Sequence, residues 1–152
     1  MSHSFRAGVF SAGLLAGLAS SNAAQAEMLI SEAEARLPPS PDASMTMRGL
    51  TRGPGIEQIS PDPDRGAATP LALKVKFLAR NNVAVDPASV KLIYLKASPV
   101  DLTDRIKPHL TADGISMNAA DVPPGTHLMR IELKDANGRA STGTIKLTVA
   151  PK

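Results

Sequence analysis

An all-β fold, an antiparallel sandwich of two sheets, is what this sequence predicts, and three observations predict it. From Ile56 onward the apolar residues recur with a period of two, as in strands buried on one face. Turn residues break that pattern at short spacing: Asp62-Pro63-Asp64, Asp113-Gly114, Pro123-Pro124-Gly125 and Asn137-Gly138. The stretch "PPGTHLMRIELKDANGRASTGTIKLTV" then reads as two long strands and the turn between them. Short antiparallel strands at this spacing argue for a sandwich.

The chain divides into three parts. In residues 1–26, "MSHSFRAGVFSAGLLAGLASSNAAQA", a basic start at Arg6 precedes an apolar run from Ala7 to Ala19 and then Ala24-Gln25-Ala26. That order is the anatomy of a secretory signal peptide, with cleavage expected after Ala26. The apolar run is about 13 residues, whereas a spanning helix needs roughly 20. No later segment is apolar enough to span, so no membrane span is expected after processing. The expected home is a bacterial periplasm or the space beyond it. Losing Arg6 lowers the formal charge from +3 to +2, too little for charge to suggest a nucleic-acid partner.

Residues 27–53 form an N-terminal segment. Ser31 followed by Glu34 has the spacing of a helix capping box, and Ala33, Ala35 and Arg36 are adequate helix formers. Pro38 and Pro39 end the helix at about six residues, too few to persist alone. "PPSPDAS" reads as a semi-extended linker, and "MTMRGLTRGPG" leads into the domain.

Residues 54–152 form the sandwich. "IEQIS" is a short strand ended by Pro61, and "SPDPDRGAATP" is a loop. "LALKVKFLAR" alternates cleanly, with Leu71, Leu73, Val75, Phe77 and Ala79 on one face. "VKLIYLK" puts Val90, Leu92 and Tyr94 on one face and Lys91, Ile93 and Leu95 on the other. "PVDLTDRIKP" reads equally as a helical turn or a strand. "HLTADGISM" is a hairpin with Asp113-Gly114 in its turn. His127, Met129, Ile131 and Leu133 face inward on the next strand; Asn137-Gly138 turns, and Gly143, Ile145, Leu147 and Val149 line the last.

These last strands resemble the final hairpin of bacterial immunoglobulin-like domains, a likeness extending over about residues 54–150. His127 stands where that pattern usually has Tyr, and Tyr94 could take the place of the buried Trp. The resemblance implies an immunoglobulin-like sandwich, and that His127 bonds to backbone at the corner, so that Tyr there should serve as well. The same strands also resemble, more distantly, periplasmic copper carriers of the CopC type. That family tends to begin its mature chain with His and to carry an Asp-Gly-His turn; here the corresponding residues are Glu27 and Asn137-Gly138-Arg139.

Function is bounded mainly by exclusion. The chain has no Cys, so no disulfide staples the fold. Beyond residue 26 only Phe77 and Tyr94 are aromatic, and both belong to the predicted core. No aromatic platform for sugars or single-stranded nucleic acid remains. His109 and His127 have no partners at catalytic or metal-ligand spacing, and there is no Gly-x-Ser-x-Gly elbow. The aspartates at 62, 64, 86, 101 and 104 lack the run of a calcium loop and read as turn residues. No catalytic residue and no cofactor is expected. Copper is the alternative cargo, with Met45, Met47 and His109 as ligands, thioethers being soft donors for Cu(I). The expected role is a non-enzymatic binding or scaffolding module for an envelope protein or polymer, or an accessory subunit of an envelope enzyme. Basic residues fall on outward strand faces and turns, which gives weak attraction to anionic polymers. Met28, Leu29, Ile30 and Leu37, with Ile93 and Leu95 on an outer strand face, form the expected partner surface.

Overall fold

The computed structural model describes residues 25–41 and 52–152. Two sheets pack face to face. In chain order the elements are β1 (Glu27–Met28), helix α1 (Glu32–Ala35), β2 (Gly55–Ser60), β3 (Leu71–Leu78), β4 (Val85–Tyr94) and β5 (Val100–Asp101). Helix α2 (Thr103–Ile106) follows and runs into a 3-10 turn at Lys107–His109. The chain ends with β6 (Leu110–Thr111), β7 (Gly114–Asp121), β8 (Gly125–Asp135) and β9 (Ala140–Val149). The first sheet has the order β1-β7-β3-β2, with β6 also on β7; the second has β5-β4-β8-β9. All pairings are antiparallel except β1 on β7.

The alternating pattern does what its period requires. Leu71, Leu73, Val75 and Phe77 on β3 face Leu92 and Tyr94 on β4, with Met129, Ile131, Ile145 and Leu147 in the same buried cluster. The segment left ambiguous by its sequence is both things in turn: β5 pairs with Ile93 and Tyr94, and then α2 carries Ile106 into the core. The predicted hairpin forms with its turn one residue earlier. Thr111 pairs with Gly114, so the glycine opens β7 rather than lying in the turn. Its φ is +151°, and a Cβ there would fall 2.0 Å from the Val75 carbonyl oxygen, so only glycine fits.

In the final turn Gly138 alone takes positive φ, at +78°. Asp135 organises that turn: its Oδ1 accepts from the backbone N–H groups of Asn137 and Arg139, and its Oδ2 from Arg139 Nε at 2.8 Å. Asn81 and Asn82, both at positive φ, make the β3–β4 turn under the Arg80–Val83 bridge.

Both open sides of the sandwich are closed by polar clasps. On one side the Gln58 side chain acts as a strand neighbour to β9, donating to the Lys146 carbonyl at 2.8 Å and accepting from the Lys146 N–H at 3.0 Å. On the other, residues 27–39 cross from the first sheet to the second as a strap. Leu29 and Ile30 enter the core, and Pro39 bridges to Lys96 at the end of β4. Residues 27–39 of the segment expected to precede the domain are thus packed into it.

Candidate functional site

The histidine of the final hairpin sits at 3 % exposure between two partners. His127 Nε2 lies 2.7 Å from the Pro123 carbonyl oxygen, which can only accept, so Nε2 carries the proton. Nδ1, 2.8 Å from the Tyr94 hydroxyl, then accepts from it. The backbone bond expected at the corner is present, and the second bond to Tyr94 is what the sequence did not reveal. Burial holds the imidazole below its usual pKa against the opposing pull of the Pro123 carbonyl, and Lys96 lowers it further. Burial first, and then the Glu34 charge, push the Tyr94 phenol up to about 12. Both rings are therefore neutral near pH 7.

The strap is anchored by charge. Ser31 and Glu34 make both bonds of the capping box that their spacing predicts. Glu34 also receives Arg105 of α2 through two bonds, at 2.8 and 2.7 Å, and Arg105 donates to the Leu29 carbonyl at 2.8 Å. The Arg105 bonds first, then those from Ser31, outweigh burial and hold the Glu34 carboxyl at about 2. Lys96 places its ammonium on the carbonyls of Ala35 and Leu37, at the C-terminal end of α1, and 5.0 Å from the Tyr94 ring centre. Lys96 is thus a structural cation rather than part of a solvated outer face. Neither anchor was legible as such, because Arg105 and Lys96 lie about 60 to 70 residues from their partners.

The residues expected to meet a partner separate. Leu29 and Ile30 are core, at 0 % and 2 % exposure, and are closed to any partner in this conformation. Met28 is exposed at 59 %. Leu37, Ile93 and Leu95 are half-buried, with Leu95 bonded through its N–H to the Leu128 carbonyl. Met45 and Met47 lie outside the described residues.

His109 is 2.6 Å from the Glu27 carboxylate, at the rim of a cavity of about 390 Å³ on the β7 edge. This cavity occupies the gap that β6 and β1 leave between them, and Met117 and Asn118 also line it. No cluster of three or more His, Cys, Asp or Glu side chains able to hold a metal occurs among the described residues. Asp62, Asp86 and Asp101 each accept a backbone N–H two residues on, the turn role read from the sequence, and Asp104 pairs with Lys107. No helix among the described residues is long and apolar enough to cross a membrane.

No protein-family model matches the chain, and no curated protein matches it by sequence. Among solved structures it is similar to the crystal structure of CopC from Methylosinus trichosporium OB3b. That similarity has a TM-score of 0.43 and 17 % identity, covering 64 % of this chain and 95 % of that one. The two-sheet architecture described above rests on the strand pairing itself.

Proposed function

We propose that this chain is an exported, non-enzymatic immunoglobulin-like module that binds or scaffolds another envelope component. The observation that carries the reading is the engagement of its chemically versatile groups inside the fold. Both nitrogens of His127 are bonded, Arg105 and Lys96 hold the strap, and Asp135 holds a turn. A catalytic centre needs such groups converging on a space where substrate can sit. The strand succession supports the fold assignment: β2-β3-β7 against β5-β4-β8-β9 follows the A-B-E and C′-C-F-G order of immunoglobulin-like domains. Export is supported by the leader pattern and by its expected cleavage point, which falls immediately before β1 begins at Glu27. The test is reconstitution. The processed chain should form a stoichiometric complex with a purified envelope protein and show no turnover of envelope substrates. Turnover without a partner would overturn the reading. A module serving as an accessory subunit would bring an envelope enzyme with it.

A second reading, a copper carrier, is favoured by one observation. His109 and Glu27 meet at the rim of one cavity, which brings an imidazole and a carboxylate together. Calorimetric titration with Cu(I) and Cu(II) separates the two readings. Stoichiometric binding lost in His109→Ala would establish cargo; heat indistinguishable from dilution would remove this reading.

A further inference from the structure

From the outer face of the first sheet we infer a protein-docking surface, one that takes a partner presenting carboxylates beside an apolar contact. The inference rests on the module reading and names the surface it would use. Three large hydrophobic residues stand exposed among the described residues, and two of them, Ile59 at 52 % and Leu78 at 41 %, project from this one face. Lys74 and Lys76 stand between them on β3, on the outward side of its alternation. Seven other cations among the described residues have acidic partners within salt-bridge distance, Arg36, Arg65, Arg105, Lys107, Arg130, Arg139 and Lys146, while Lys91 and Lys134 on the second sheet do not. Lys74 and Lys76 enter no ion pair among the described residues.

The relief of the face decides between kinds of partner. A shallow depression of about 230 Å³ lies beside Ile59, bounded by Lys74, Lys76, Thr111, Asp113 and Ser116. Gly114, opposite Lys76, leaves it without a wall on that side. Two carboxylates share the face, Glu57 opposite Lys76 and Asp113 at the hairpin tip. A uniformly anionic surface, whether lipid or polymer, would meet those two like charges along with the lysines. A folded partner can set carboxylates against Lys74 and Lys76, donors against Glu57 and Asp113, and an aliphatic group on Ile59. Patterned charge around a small apolar centre is the complementarity of protein interfaces, where rim charges set the association rate and the choice of partner.

The test uses the full chain in the envelope of the cells that make it, with a photo-reactive phenylalanine analogue at position 59. A control chain carries it at Thr144, exposed on the outer face of the second sheet. Expected is one discrete adduct from position 59 and none from 144, with the adduct peptide of the partner containing Asp or Glu. The adduct should fall several-fold with Lys74→Glu and Lys76→Glu together while the thermal midpoint holds. Should that variant fail to fold, Lys74→Gln with Lys76→Gln provides the same readout. Adduct yield indifferent to those changes would overturn the inference. An adduct from 144 alone would overturn this surface and leave the module reading standing. Silence from both positions would remove both. Co-sedimentation with phosphatidylglycerol vesicles, lost on charge reversal and without a protein adduct, would assign the face to lipid and overturn the protein partner.

Discussion

At position 127 the side chain must satisfy two partners that face it from different directions, and imidazole does so with one nitrogen each. The Tyr that the hairpin pattern suggested offers a single polar atom, larger and placed farther out. His127→Tyr should therefore cost about 1–3 kcal/mol, the range for leaving a buried hydroxyl or carbonyl unmet, and not be neutral. Tyr94→Phe should cost a comparable amount. The double mutant should lose less than the sum, because both changes break the same bond; urea midpoints of the four proteins measure this. The pH dependence has a definite sign. The folded state holds His127 neutral below its ordinary pKa of 6.5, so the unfolded chain takes up the proton first. Stability should decline as pH falls through about 6.5, and His127→Gln should flatten that limb. A midpoint curve equally steep in the variant would refute the assignment. Elsewhere in the core, Phe77→Ala and Ile131→Ala should each cost roughly 2–5 kcal/mol through the cavities they leave, read by the same denaturations.

Among the elements, the strap shows how far local sequence can be read. The cap was legible because Ser31 and Glu34 are three residues apart, and the helix stop because proline has no N–H to donate. The docking was not, because a four-residue helix acquires its stability from Leu29, Ile30, Arg105 and Lys96, and nothing in the spacing of residues 27–39 names those partners. Leu29→Ala should cost as much as a core change on β3, again roughly 2–5 kcal/mol; a loss under about 0.5 kcal/mol would make the strap an appendage. Glu34 titrates in a window apart from that of His127. Its carboxyl is at about 2 in the fold against an ordinary 4.5, so its contribution is present above about 4.5 and is lost as pH falls toward 2. Glu34→Gln should remove that acid limb. At neutral pH it should cost about 1–2 kcal/mol, at the lower end for a charged hydrogen bond because Arg105 is about a third exposed. Denaturation between pH 2 and 7 tests both.

For the whole molecule, the alternation of β3, β8 and β9 was enough to place the inner face of each sheet, because a one-residue slip would expose an entire row. Long-range side-chain bonds were not readable: Gln58 to Lys146 between the sheets, Tyr94 to His127 between neighbouring strands of one sheet and Glu34 to Arg105 between the two helices join residues 33 to 88 positions apart. They are set by which strands and helices become neighbours, which periodicity leaves open. Amide hydrogen exchange on the processed chain should find the Leu29 and Ile30 amides, both bonded to the Asp121 carbonyl, protected nearly as long as those of β8. Intact mass from the native envelope should begin at Glu27; a retained Met1 would refute the leader. The outer lysines were visible as exposed from the start, but the gathering of Ile59, Leu78, Lys74 and Lys76 on one face emerged only with the register of β2 against β3.

The strap also sets an order of events. In a growing chain Glu27 to Pro39 emerge well before the groups that lock them, Lys96, Arg105 and Asp121, which follow about 60 to 90 residues later. Closing that loop costs chain entropy that is repaid only once those later groups are in position. Until then Leu29 and Ile30 have no core to enter and remain open to whatever handles the nascent chain. The strap's closure therefore reports that β4, α2 and β7, which lie behind it, are already in place.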